Sequence, residues 1–215
     1  MKTTTLLLAG LAAGALAAPA VAQDFTPKTA GTFVVTARAT GVMTKADDAI
    51  TTAAGAASGL NVDVKDDVMP TLGFTYFFTD KIAVEAILGT TQHEIRAKGG
   101  ATDVEVHKTW VLPPVVTVQY HPMPTAKVSP YVGAGINAMI FYSGKNRNGF
   151  DVDLDNGFGW ALQAGADVAL SGPWSLNLDA KKVFFDTDAD INNGALKSNV
   201  KLDPWVLSAG ISRRF

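Results

Sequence analysis

Gly157-Phe158-Gly159-Trp160-Ala161-Leu162-Gln163-Ala164-Gly165-Ala166-Asp167-Val168-Ala169-Leu170 sorts into two faces. Phe158, Trp160, Leu162, Ala164, Ala166, Val168 and Leu170 fall on one side, and Gly157, Gly159, Ala161, Gln163, Gly165, Asp167 and Ala169 on the other. A period of two marks a β-strand, and a strand this long exceeds most strands of water-soluble proteins. Its bulky face is continuous and aromatic at one tip; the opposite face is small or polar and carries one charge. A sheet in water would cover its polar face with Lys, Glu and Thr. Bulk toward lipid and small or polar groups toward a lumen is instead the pattern of a transmembrane barrel.

Similar alternation recurs about eight times, at residues 33–42, 69–78, 82–97, 110–121, 128–143, 157–170, 174–186 and 204–215. Short connections at 79–81, 122–127 and 171–173 alternate with longer ones at 44–68, 98–109, 144–156 and 187–203. Short turns on one rim and long loops on the other predict an all-β fold: an eight-stranded antiparallel transmembrane barrel with periplasmic turns and extracellular loops. Several strands are longer than the hydrocarbon layer requires, so the barrel should project above the membrane.

Composition agrees. Charged residues make up 18% of the 215 positions, against ~25% in typical soluble domains. The formal net charge of −2 excludes a strongly basic nucleic-acid surface. There are no cysteines, so neither disulfides nor thiolate metal sites support the fold. Lys2, the apolar stretch from Leu6 to Ala18 and Ala20-Val21-Ala22 read as a secretory leader over residues 1–22, leaving a barrel of 23–215. No apolar run of ~20 residues follows it, so no transmembrane helix is expected.

The parity assigns the lumen. In the short-turn half, inward positions are polar and of both signs: Arg38, Glu85, Gln119, Asn137, Gln163, Asp167, Asp179, Lys181 and Arg214, with Thr36, Thr117, Asn177, Ser208 and Ser212. Eight strands leave a bore only wide enough for side chains, so these charges should pair and plug it, because unpaired buried charges are costly. In the long-loop half, inward positions turn apolar: Ile87, Val111, Val115, Met139, Phe141, Val183 and Phe185. A greasy well above a polar plug is the expectation. Trp110, Trp160, Trp174, Trp205, Tyr76, Tyr120, Phe158 and Phe184 fit interfacial girdles. Lys182, on the lipid-facing parity, belongs near the outer interface.

Other chemistry is weakly supported. His93 with Glu94, or His107 with Glu105, could supply two members of a catalytic set, and Ser143 lies near the same rim, but no nucleophile motif accompanies them. His93 reads as a packing or lumen residue and His121 as an interfacial residue at a turn. The acidic run from Asp151 to Asp155 lacks the distal Glu of a calcium loop and reads as a solvated loop. Neither catalysis, a metal nor a cofactor is expected.

Four stretches resemble the OmpW family of outer-membrane proteins. They are Pro70-Thr71-Leu72 with Tyr76 through Glu85; Leu112-Pro113-Pro114 with Gln119-Tyr120; Pro130-Tyr131-Val132-Gly133-Ala134-Gly135-Ile136-Asn137; and Leu202-Asp203-Pro204-Trp205-Val206. The terminal strand, with Ile211 and Phe215 on its apolar parity, resembles the signal that such barrels offer their assembly machinery. The resemblance implies a narrow barrel in the outer membrane of a Gram-negative bacterium, in contact with lipid and lipopolysaccharide. It also implies passage of small hydrophobic solutes, released sideways through the wall. It points to Thr90, Thr91, Gln92 and His93 as the place of a lateral opening, although the proline that the family often has before this histidine is missing here. The alternative is a closed structural or receptor barrel whose outer loops bind a partner.

Overall fold

A computed structural model describes residues 25–44 and 46–215; the leader expected at 1–22 lies outside the described residues. Every helix or strand element among them is a strand. In chain order they are β1 (Phe33–Met43), β2 (Ala49–Thr52), β3 (Ala57–Val64), β4 (Asp67–Phe77), β5 (Ile82–Gly89), β6 (Thr91–Gly99), β7 (Thr102–Leu112) and β8 (Val115–Tyr120). There follow β9 (Val128–Asn146), β10 (Val152–Leu154), β11 (Gly157–Ala169), β12 (Trp174–Phe184), β13 (Asp186–Ile191), β14 (Leu196–Lys201) and β15 (Trp205–Arg214).

Eight of these strands, β1, β4, β5, β8, β9, β11, β12 and β15, form an antiparallel ring. The ring closes where β15 pairs with β1, from Val34↔Arg214 to Met43↔Trp205. Closure leaves no sheet edge, which is what a β-structure in lipid requires. The alternation of β11 is as read: Phe158 and Trp160 are 82% and 70% exposed, while Ala161 and Gln163 are buried.

Two expected strands divide. The run 82–97 becomes β5 and β6, broken at Thr90, and the stretch ending at 121 divides into β7 and β8 at Pro113-Pro114. Neither proline carries an N–H for a ladder. The long connections are also more regular than expected. They supply β2, β3, β10, β13, β14 and most of β7, paired in the order β10-β13-β14-β2-β3-β6-β7-β9. This second tier stands on the ring and buries a core of its own, including Ile50, Val62, Ile95, Val152, Ile191 and Val200.

Candidate functional site

The short-turn half of the bore is filled. Glu85 is fully buried and binds Arg38 Nη2 through Oε1 (2.6 Å). Its Oε2 accepts from Gln119 Nε2 (2.9 Å) and Gln163 Nε2 (2.8 Å) and faces Lys181 Nζ at 3.6 Å. Lys181 also pairs with Asp179, whose Oδ2 takes the Tyr131 hydroxyl (2.7 Å). Asn177 joins the two halves of the network: its Oδ1 accepts from Arg38 Nε (2.7 Å) and its Nδ2 donates to Asp167 Oδ1 (2.8 Å). Gly133 makes room for it, since a Cβ there would lie 3.3 Å from the side chains of Gln119 and Gln163, and Gly135 lets the backbone of β8 come close, a Cβ there lying 1.9 Å from the Val116 carbonyl oxygen.

Three participants were not assigned to the plug from the sequence. Lys28 crosses the short-turn mouth on the segment before β1, and its Nζ bonds Asp167 Oδ2 (2.7 Å) and His121 Nδ1 (3.2 Å). Because an ammonium only donates, His121 Nδ1 accepts, and its Nε2–H donates to Gln119 Oε1 (3.0 Å). His121 is therefore a neutral member of the plug, a correction to its expected place at the interface, and it is 1% exposed. The turn that follows β8 folds its side chain inward against Phe77 and Tyr131. Tyr131 is the third. The paired charges are three of each sign, Lys28, Arg38 and Lys181 with Glu85, Asp167 and Asp179; Arg214, also buried, stands at the short-turn edge of the plug and donates to the Thr26 carbonyl. Lys28→Met should lower stability by about 2 kcal/mol, the scale of a charge-assisted hydrogen bond, and adding Asp167→Asn should recover most of it. Urea titration in lipid vesicles checks both.

Above the plug lies a cavity of about 1230 Å³ of empty space, counting solvent at its mouth. Ile87, Val111, Val115, Met139, Phe141 and Val183 line it; Phe185 is buried behind them in the same apolar cluster. Asn137, assigned to the plug from the sequence, lines this cavity, as Lys181 does at its floor. The lining continues into the second tier through Ile50, Val62, Val64, Val106, Val152 and Ile191, none of which was read as a site residue.

The cavity touches a seam in the wall. β4 pairs with β5 only up to Thr71↔Gly89, and β3 takes over against β6 at Val64↔Ile95. No ladder pair joins the intervening Val68, Met69 and Pro70 to Thr90, Thr91 or Gln92. Phe78 N bonds Ile82 O, whereas Phe77 bonds back to Gly31 and Thr32, so even-numbered residues of β4 turn their backbone groups toward β5. Pro70, with no N–H, therefore faces the seam. One carboxylate replaces the ladder: Asp67 Oδ1 accepts from Val68 N (2.8 Å), and Oδ2 from Gln92 N (2.9 Å) and the Thr91 hydroxyl (2.5 Å). Thr91 and His93 are buried and line the cavity beside this bridge, with Met69 and Thr71 across from them. Thr90 lies outside the cavity lining and bonds Tyr142 and the Val111 carbonyl.

This barrel has counterparts among known proteins. The family model described as "OmpW family" matches residues 29–215. The chain belongs to the OmpW family. Outer-membrane protein y4mB of Sinorhizobium fredii (strain NBRC 101917 / NGR234) is 38% identical over 223 residues, covering 99% of this chain and 95% of that protein. Dibenzothiophene metabolism operon protein PahQ of Pseudomonas aeruginosa is 30% identical over 162 residues, covering 73% and 76%. The crystal structure of OprG from Pseudomonas aeruginosa superposes with a TM-score of 0.82 at 27% identity, over 88% of this chain and 98% of that one.

As an OmpW-family barrel the protein resides in the outer membrane of a Gram-negative bacterium. Its short turns then face the periplasm and its second tier the outside. Lys182 fits this orientation: its ammonium bonds the Asp203 carbonyl at the outer end of β15 and lies over the rings of Phe184 and Trp205, 5.7 and 5.6 Å from their centroids. At the periplasmic end Arg214 donates to the Thr26 carbonyl, and Phe215 exchanges backbone bonds with Phe33. Ile211 and Phe215 are exposed on the lipid-facing parity of the chain's terminal stretch. His107 takes Asn146 as its partner (2.8 Å), and Asp151 accepts from the same asparagine.

Proposed function

We propose that this protein passes small apolar molecules through the lipopolysaccharide layer into the outer membrane, by way of the cavity and out through the seam between β4 and β6. The observation that carries the reading is that an apolar cavity ends on a filled ionic plug and meets the unpaired stretch of wall. An aromatic solute burying ~150–250 Å² gains about 4–6 kcal/mol at ~25 cal/mol per Å². Going straight on would require parting buried ion pairs, at about 3–5 kcal/mol for the first. Parting the seam breaks the bonds of Asp67 to Thr91 and Gln92 and, at its edge, the bond between the His93 ring and the Lys65 carbonyl. PahQ is named for dibenzothiophene metabolism, and dibenzothiophene is an apolar tricyclic arene of the kind such a cavity suits. A closed receptor barrel would account for the plug but gives no role to the cavity beside the seam.

On this reading the outer tier extends the apolar path beyond the lipid headgroups. Ile211 and Phe215 serve separately, as the strand end offered to the assembly machinery. The test uses vesicles with lipopolysaccharide in the outer leaflet. Protein-containing vesicles should take up naphthalene severalfold faster than protein-free ones, and equal rates would reject transport.

A further inference from the structure

Asn137 stands among apolar neighbours. Register places it opposite Val115 on β8 and Gly159 on β11, and Met139 is the next inward residue along β9. The residue is 1% exposed, and its Nδ2 donates to the Ala138 carbonyl (3.2 Å), which sets the orientation of the amide. Among the described residues no group donates to its Oδ1. Arg38 Nη1, a donor, and Ser129 Oγ and Ser175 Oγ are likewise buried without a partner, but of these residues only Asn137 lines the cavity. A buried acceptor without a donor is costly and calls for a partner.

We infer that Asn137 Oδ1 is a recognition point for a hydroxyl, so that the cavity selects apolar solutes carrying one neutral donor, an alcohol or a phenol. This deepens the transport reading and rests on it. The charge pattern excludes the other head groups. No Asp or Glu lines the cavity to hold an ammonium. A carboxylate would set its oxygens against Oδ1, and the two lining cations are already engaged, Lys181 by Asp179 and Glu85 and Arg96 by Asp103. Gly159 lets the backbone of β12 pass close beside the acceptor, since a Cβ there would lie 2.3 Å from the Phe184 carbonyl oxygen and 3.2 Å from Oδ1. A neutral O–H meets the acceptor while its hydrocarbon fills the surrounding well.

The probes are 1-naphthol and 1-methoxynaphthalene, which share a ring system and differ in the donor. Binding is measured by equilibrium dialysis against vesicles holding the protein, with partitioning into empty vesicles subtracted. The parent protein should bind 1-naphthol about fivefold more tightly than the ether, the scale of one net hydrogen bond. Asn137→Leu should erase that ratio, because only the phenol loses a partner; Asn137→Ala takes its place if the leucine variant fails to assemble. Equal binding of both probes by the parent, or an undiminished ratio in the variant, overturns the inference and leaves the transport reading intact. No binding of either probe, together with no uptake of naphthalene, rejects the transport reading itself.

Discussion

Glu85→Leu should unfold in lipid vesicles with about 3–5 kcal/mol less stability than the parent, the cost of removing one partner from a buried ion network. Glu85 accepts from Arg38, Gln119 and Gln163 and faces Lys181, so its loss takes this acceptor from Arg38 and Gln119 and leaves Gln163 and Lys181 on Asp179 alone. Of the paired charges it leaves Lys28, Arg38 and Lys181 against only Asp167 and Asp179. The decisive companion is Glu85→Leu with Arg38→Met, which removes both charges of the Arg38–Glu85 pair, 2.6 Å apart. That double variant should regain most of the lost stability, because apolar replacement of a whole buried pair is often neutral. The urea midpoint and slope for the two single variants and the double variant close the cycle. A Glu85→Leu barrel as stable as the parent would mean that water, not the neighbouring side chains, solvates the plug.

The second large effect concerns the seam. The chain has no native cysteine, so Asp67→Cys with Thr91→Cys introduces the sole thiols. The parent side chains meet at 2.5 Å, which brings the two positions within reach of a disulfide or a short thiol-bridging reagent. Oxidised, this variant should take up naphthalene no faster than protein-free vesicles. Reduced, it should match or exceed the parent, because the Asp67 bridge that holds the wall shut is gone. Uptake unaffected by the cross-link would place the exit elsewhere and end the lateral reading, whatever the cavity binds.

The ring and the faces of its strands were legible because the side-chain period of two is a local property. Phe158 and Trp160 announce the lipid side wherever their strand sits in the sheet. The polar and apolar halves of the bore followed from the same parity, and Glu85, Gln163, Asp179 and Lys181 do meet in the interior. Less legible was the outer tier, although Asp186, Asp188 and Asp190 alternate with Thr187, Ala189 and Ile191. These runs are short and acidic and read equally well as solvated loops, and pairing with β10 and β14 is what makes them strands.

From its residues alone the chain determined a lipid-facing barrel, the direction of every long strand, and a bore polar at one end and apolar at the other. Only the tertiary structure decided who meets whom across the bore. Lys28 reaches Asp167 over a separation of 139 residues, His121 turns inward from the end of a strand, and Asp67 spans a gap where Pro70 offers no N–H. The physical reason is that alternation is set by each residue's own backbone geometry, whereas ring closure and the strand register it imposes choose the partners and the unpaired stretch of wall.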